Sequence, residues 1–456
     1  MSDIKKNIRH IFWMFFYMFI SIIIYLTYFA FFEAYAIVNS TLNPRVRISR
    51  ENIQRGTIYD RNGQVIAYTY ENIRNYPYGR AFAHVIGHTS VGHAAVEERY
   101  NFHLTNLSGE MLQRVNNLAF GTKLYGDSLN LTLDTNLQNY AYNALGNRRG
   151  SIVVMQPTTG DILAMVSYPT YNPNTAATEW QQIINNEYSP LLNRATQGLY
   201  APGSTFKIMT VASGIRSNII NNFTHHCNGY IIINGEIIRC FNNVSHGYIN
   251  ATRAFALSCN TYFVALAYEM GIEKFVYYTS SFFNETKFSL PVSQSQFNLS
   301  YNSSIGYLMQ TSIGQGQTLV TPLYMTMISS AIYNNGVIKM PNVVKNTQQN
   351  NILNTLLPTT QNKNHLFTKD ISTELQNMMV QVVNNGTGQL SSIQSAQLAG
   401  KTGTAENDAG YAHGWFTGFI VDNDIAITIM LENSDGTGLV LPLVRNIANF
   451  AINLNN

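Results

Sequence analysis

Residues 11–32 run for 22 positions without a charged side chain, long enough as a helix to cross a hydrocarbon core about 30 Å thick. Lys5, Lys6 and Arg9 precede the run and Glu33 follows it, so the positive charge predicts a cytoplasmic N-terminus and an extracytoplasmic remainder. Arg45, Arg47 and Arg50 lie beyond the far end and weaken that asymmetry. Ala34-Tyr35-Ala36 offers a small-residue pattern that a cleaved signal would need. Signal cores, however, run only about 7–15 residues, and this segment is longer and rich in aromatic residues. The expectation is therefore a cytoplasmic tail over 1–10 and one uncleaved single-pass membrane helix over 11–32.

Only one such segment is expected. Charged residues make up 12 % of the chain, against about 25 % in ordinary globular proteins, which by itself points to membrane. Mean hydropathy is nevertheless close to zero, which excludes a bundle of spans. A hydrophobic content of 45 %, with 12 % aromatic, excludes disorder. The net charge of +3 is too small and too dispersed to argue for nucleic acid.

Beyond the helix, Asp60-Arg61-Asn62-Gly63 predicts a hairpin turn leading into a strand at 65–68, for which a surface hairpin is sufficient explanation. From about Ser128 the texture changes. Residues 129–133 suggest a strand, 135–145 an amphipathic helix, and 151–155 with 162–166 a hairpin across a Pro-Thr-Thr-Gly turn. Residues 314–336 combine a glycine-rich loop with a helix opened by Pro322, and 414–420 with 425–431 suggest two paired strands. Asn-rich residues 342–364 read as solvated loop. Hairpins flanked by helices predict an α+β fold with an antiparallel sheet.

Three short boxes carry chemistry. In Ala201-Pro202-Gly203-Ser204-Thr205-Phe206-Lys207 a helix start is expected, with Ser204 as a candidate N-cap. Lys207 follows Ser204 by three positions, one turn along the same face. A buried ammonium there loses its proton readily and could accept the hydroxyl proton of Ser204. Ser258-Cys259-Asn260 lies 54 residues beyond Ser204. In an extended turn Ser258 and Asn260 would point the same way, toward Lys207; a capping turn accounts for three such residues equally well. In Lys401-Thr402-Gly403-Thr404, placed on an edge strand, Gly403 would leave the backbone open to an extended substrate. Lys401 and the threonine hydroxyls would then hold a carboxylate.

In this order S-x-x-K, S-x-N and K-T-G resemble the boxes of penicillin-binding proteins and serine β-lactamases. Further landmarks agree: Arg-Gly-Thr-Ile-Tyr-Asp-Arg-Asn-Gly at 55–63, Thr-Gly-Asp-Ile-Leu-Ala-Met at 159–165, Ile-Gly-Gln-Gly at 313–316 with Thr321-Pro322, Asn-Gly-Thr-Gly at 385–388 and His-Gly-Trp-Phe-Thr-Gly-Phe at 413–419. They span residues 50–435. The chain resembles a short class B penicillin-binding protein, a monofunctional peptidoglycan D,D-transpeptidase. The resemblance implies a penicillin-binding/serine β-lactamase-like transpeptidase domain over 128–456, on a non-catalytic pedestal over 33–127 that is too short to polymerise glycan. It implies Ser204 as nucleophile, Lys207 as base, Ser258 and Asn260 as proton relay and acyl-chain guide, and Lys401, Thr402, Gly403 and Thr404 around the substrate carboxylate. The backbone N–H groups of Ser204 and Thr404 would form the oxyanion hole. Implied partners are peptidoglycan stem peptides, β-lactam antibiotics and, in the membrane, a SEDS-type glycan polymerase; catalysis needs no cofactor. Water as acceptor would make a D,D-carboxypeptidase or a β-lactamase, and a catalytically idle scaffold would not need the intact boxes.

Cys227, Cys240 and Cys259 fall within 33 residues, with His225, His226 and His246 in the same window. Three states stay open: a Cys227–Cys240 disulfide, a structural zinc held by Cys227, Cys240, His246 and Cys259, or free buried thiols. His413 is expected to pack or hydrogen-bond near the Lys401 strand.

Overall fold

The computed structural model describes residues 2–29, 53–105, 124–283, 287–345, 365–406, 410–434 and 436–454. They form two compact units. The smaller comprises Met1–Thr57, Tyr68–Arg74 and Arg99–Ser128; the larger comprises Ile58–Ala67, Asn75–Glu98 and Leu129–Asn456. Residues 58–67 and 75–98, inside the expected pedestal range, thus cluster with the larger unit.

In the smaller unit, helix α1 (Ser2–Tyr28) carries a stretch, Lys6–Tyr28, long and apolar enough to cross a membrane. Its aromatic side chains are exposed, as a lipid-facing helix requires. The expected span was 11–32; the last three of those residues lie outside the described ones. Elsewhere in this unit Ile53–Gln54 pairs in parallel with Leu124–Tyr125.

In the larger unit the Asp60 turn is no simple surface hairpin. Asp60 is 1 % exposed, and its carboxylate accepts the N–H groups of Asn62 and Gln64 at 2.8 Å and of Thr135 at 3.1 Å. The turn is thereby tied to the start of helix α2 (Thr135–Leu145), whose N-cap Asp134 accepts from the N–H groups of Asn136 and Leu137.

The larger unit is built on one antiparallel sheet. Strands β1 (Gly150–Met155) and β2 (Ile162–Tyr168) form the expected hairpin. Further along the chain come helix α3 (Lys207–Arg216), short strands β3 (His225–Cys227), β4 (Tyr230–Ile233), β5 (Glu236–Arg239) and β6 (Gly247–Ile249), and helices α4 (Ala251–Ala256), α5 (Asn260–Met270) and α6 (Ile272–Ser280). Helix α7 (Pro322–Tyr333) and helix α8 (Lys369–Asn385) precede strands β7 (Leu398–Glu406), β8 (Ala412–Ile420) and β9 (Ile425–Leu431), and helix α9 (Val440–Leu454) closes the chain. The five long strands pair antiparallel in the order β7-β8-β9-β1-β2, with β7 at the edge.

Both faces of this sheet are covered, so β9 and β1 are buried at every position. Trp415, Phe419, Ala426 and Met430 face the cluster that holds α7 and α8. Their neighbours Phe416, Ile420, Ile425, Ile427 and Ile429 face α2 and α9. Two buried polar positions satisfy each other across the sheet: Thr417 Oγ1 lies 2.8 Å from Thr428 Oγ1 and 2.7 Å from Ser329 Oγ of α7.

Candidate active site

Ser204 does not cap a helix. It sits in a 3-10 turn, Gly203–Phe206, that runs directly into α3, and its side chain makes no capping bond. Three residues per turn eclipse positions i and i+3, so Lys207 lies over Ser204 with Nζ 3.0 Å from Oγ. The turn is pinned by backbone on two sides. Gly203 N–H donates to Gly314 O at 2.9 Å, in the Ile-Gly-Gln-Gly loop. On the other side a Cβ on Gly203 would stand 2.5 Å from Thr404 O, and one on Gly403 would stand 2.9 Å from Pro202 O and from Thr205 Cγ2. Gly403 is therefore required for close approach between the edge strand and the nucleophile turn.

The second box also differs in conformation from the expected extended turn. Ser258 has φ +57°, left-handed and rare for a non-glycine residue, and Asn260 opens α5. This bend turns several groups of the box toward one amine. Lys207 Nζ donates to Ser258 O at 2.8 Å and to Asn260 Oδ1 at 2.6 Å, and stands 3.2 Å from Ser258 Oγ. Asn260 Nδ2 donates to Arg239 O at 2.8 Å, which fixes which end of the amide faces the lysine.

Lys401 points inward. Its Nζ reaches Ser258 Oγ at 3.0 Å and Thr402 O at 3.2 Å, over the ring of Phe255. The amine completes a chain Ser204–Lys207–Ser258–Lys401 within hydrogen-bond reach. The Thr402 hydroxyl meets that of Thr387. Thr387 lies in the Asn-Gly-Thr-Gly landmark, for which the sequence suggested no role.

Both lysines are fully buried, and that burial sets their chemistry. It pushes the Lys207 ammonium down from 10.5 to about 7, negative charge on the sulfurs of Cys259 and Cys240 opposing the shift. Lys401 is pushed well below its ordinary value, first by burial and then by repulsion from Lys207. A neutral amine has two N–H donors, and the carbonyl oxygens of Ser258 and Asn260 accept both. The lone pair is then left for the Ser204 hydroxyl.

The four candidate metal ligands also come together. Cys240 Sγ lies 3.7 Å from both Cys227 Sγ and Cys259 Sγ, and Cys227 Sγ lies 3.3 Å from His246 Nδ1. All four donor atoms fall within 4.8 Å of one another. Thiolates around a tetrahedral zinc at about 2.3 Å stand about 3.8 Å apart, so the spacing fits the ion. The antiparallel β3–β6 pair sets Cys227 opposite Gly247, next to His246. The Asn234-Gly235 hairpin of β4 and β5 delivers Cys240. The thiols are free here, so the Cys227–Cys240 disulfide is not the state described. His225 and His226 are outside the cluster, on Thr261 and Tyr248. His413 accepts from Asn433 N–H at 3.3 Å and packs edge-on to Tyr200, as a structural histidine does.

The model of the penicillin binding protein transpeptidase domain matches residues 150–449. The peptidoglycan D,D-transpeptidase MrdA of Acinetobacter baumannii is 29 % identical over 440 residues; the match covers 83 % of this chain and 66 % of that protein, just under two thirds. The peptidoglycan D,D-transpeptidase PbpA of Mycolicibacterium smegmatis is 28 % identical, with 88 % of this chain and 90 % of that protein covered. Among solved structures, the D,D-transpeptidase domain of a peptidoglycan glycosyltransferase from Eggerthella lenta superposes with a TM-score of 0.78 at 29 % identity, covering 89 % of this chain and 99 % of that one. The imipenem acyl-enzyme of penicillin-binding protein A from M. tuberculosis gives 0.77 at 25 %, covering 88 % and 100 %. With the family match over most of its length and the three boxes linked by one chain of hydrogen-bonded side chains, the chain belongs to the penicillin-binding protein transpeptidase family, as a class B member.

Proposed function

We propose that this protein is a membrane-anchored peptidoglycan D,D-transpeptidase acting through a Ser204 acyl-enzyme. The observation that carries the proposal is Lys207 Nζ, buried, 3.0 Å from Ser204 Oγ, with two carbonyl oxygens to accept its N–H groups. Ser204 Oγ attacks the carbonyl between the two terminal D-alanines of a stem peptide while Lys207 takes its proton. The backbone N–H groups of Ser204 and Thr404 stabilise the oxyanion. The proton passes by way of Ser258 to the departing D-alanine amine, with Lys401 holding the Ser258 hydroxyl in place. Asn260 orients Lys207 and the acyl chain. Thr402 and Thr404 meet the terminal carboxylate on the edge strand, the Thr402 hydroxyl oriented by Thr387. An amine from a neighbouring stem then attacks the ester and releases Ser204, closing the cross-link; a β-lactam stops at the ester.

The N-terminal helix anchors the chain with its tail in the cytoplasm and the enzyme outside. Residues 33–127 serve as the non-catalytic pedestal, and glycan strands come from a SEDS-type polymerase in the same membrane. Cys227, Cys240, Cys259 and His246 hold a structural zinc, which cross-links β3, β5 and the second box without entering the reaction. Metal analysis of the purified chain is expected to find about one zinc per protein; less than about 0.1 removes the site.

The acyl-transfer reading is tested by fluorescent penicillin. One label per chain is expected, persisting for hours as a transpeptidase acyl-enzyme does, and none in Ser204→Ala. Labelling that survives in that variant, or is lost within seconds in the parent, overturns the assignment.

A further inference from the structure

Cys259 is the middle residue of the second box, so a force on its sulfur is a force on Ser258 and Asn260. We propose that Cys240 and Cys259 form a reversible thiol–disulfide modification site, through which an oxidant of the hydroperoxide class switches off the acylating serine. The inhibitory consequence rests on the acyl-transfer reading above; bridge formation does not.

The pair is selected by its surroundings. Cys240 Sγ is equally near to Cys227 and Cys259, at 3.7 Å. The Cys227 sulfur is held elsewhere as well, by His246 Nδ1 at 3.3 Å and by the N–H of Gly229 at 3.4 Å. Beyond Cys240, the Cys259 sulfur meets the Thr261 hydroxyl at 3.3 Å, and it makes no capping bond to α5. Closing 3.7 Å to a disulfide of about 2.05 Å requires a movement of about 1.7 Å. The chain just after Cys240 can supply part of it. Residues 241–245 are exposed, and Asn242 and Asn243 take left-handed conformations there. Cys240 retains 4 % exposure against 0 % for Cys259, so a small oxidant meets Cys240 first.

The remaining movement falls on the second box. Arg239, whose carbonyl accepts from Asn260 Nδ2, directly precedes Cys240, and Asn260 directly follows Cys259. The new bond would therefore lie beside the hydrogen bond that orients Asn260. Drawing Cys259 toward Cys240 displaces Ser258 O and Asn260 Oδ1, the two acceptors that hold Lys207. Misplacement by about 1 Å at such a site costs about 10²-fold in rate.

The chemistry balances. One thiolate attacks a peroxide oxygen and the O–O bond breaks. The leaving oxygen takes a proton to become water, or an alcohol from an organic peroxide, and the sulfur becomes a sulfenic acid. The second thiolate attacks that sulfur and expels hydroxide, which is protonated to water. Two thiols have lost two protons and two electrons, and the peroxide has gained them. Two of the four candidate zinc ligands are consumed, so any zinc held there is released.

The test uses the full chain in detergent, treated with hydrogen peroxide before and after dithiothreitol. Peptide mapping is expected to find a Cys240–Cys259 bridge, with zinc appearing on a chromogenic chelator. Labelling by fluorescent penicillin should slow by about tenfold or more and recover on reduction. Cys227→Ser should still form the bridge. A Cys227–Cys240 bridge in its place, oxidation that dithiothreitol does not reverse, or a Cys240–Cys259 bridge with unchanged labelling overturns the proposal. A reduced chain that penicillin does not label overturns the acyl-transfer reading and with it the switch in activity, while the map still reports on the bridge. A bridge without zinc release counts against the metal and not against the modification.

Discussion

Lys207→Met is expected to slow acylation by penicillin by about 10³-fold while leaving the protein folded. Methionine keeps an unbranched chain of similar length in a pocket walled by Phe263, and an apolar group there needs none of the desolvation that an ammonium does. What disappears is the only amine within hydrogen-bond reach of Ser204 Oγ among the described residues. The same lysine sets the pH profile of the parent. Its working form is the neutral amine, and burial brings the ammonium down to about 7. Acylation should therefore rise about tenfold per pH unit below 7 and level off above it. Lys401 adds to this in one direction, since a charge on either amine disfavours a charge on the other. Stopped-flow labelling across neutral pH reads the profile, and a flat profile would assign the base to another group.

Gly314→Ala should be nearly as damaging, although residue 314 offers no functional group. Gly314 has φ +77°, and a methyl carbon on it would fall on the carbonyl oxygen of Gly203. That oxygen belongs to the turn that presents Ser204, and the same two residues share the Gly203 N–H to Gly314 O bond. Neither side is a flexible side chain, so the nucleophile turn must move. Labelling is expected to fall by about 10²-fold, with a loss of about 2–4 kcal/mol in unfolding free energy. Gly316→Ala is the control. Its φ of +79° carries the same backbone strain, but the nearest atom to a new Cβ is Gln310 Oε1 at 3.5 Å. It should cost about 1–2 kcal/mol and leave labelling within a few-fold of the parent.

The contrast between these two glycines marks where sequence reasoning stopped. The elements around the site were legible because local rules define them. Asp134 caps a helix over 135–145, Pro322 opens the helix foreseen within 314–336, and 414–420 with 425–431 pair as strands. The three boxes were legible as chemistry because their order resembles that of a known family; only in the first does spacing alone, three residues from Ser204 to Lys207, suggest a nucleophile and its base. Their internal geometry was not. The left-handed backbone of Ser258 carries no mark in the sequence, since serine seldom adopts it and surrounding structure imposes it here. The inward turn of Lys401 depends on Phe255 and Ser258, both more than 140 residues away along the chain. The close approach of Gly403 to Pro202 and Thr205 was not foreseen, because an absent side chain looks the same whether it makes room for a ligand or for protein. The cysteine cluster was readable as a set, whereas its order in space needed the Asn234-Gly235 hairpin to bring Cys240 to Cys259.

The order of the central sheet also bears on how the protein comes to exist. β1 is complete by residue 155, but its second neighbour, β9, ends at residue 431. Between the two, roughly 270 residues must be synthesised while β1 shows an apolar edge with nothing beside it. The edge strand that borders the nucleophile joins the sheet only through β8, so it too must await its partners. Activity therefore arrives late and all at once. A chain cut short before residue 425 would carry the serine, the lysine and the second box, and still lack the strand that joins the β1–β2 hairpin to the β7–β8 pair.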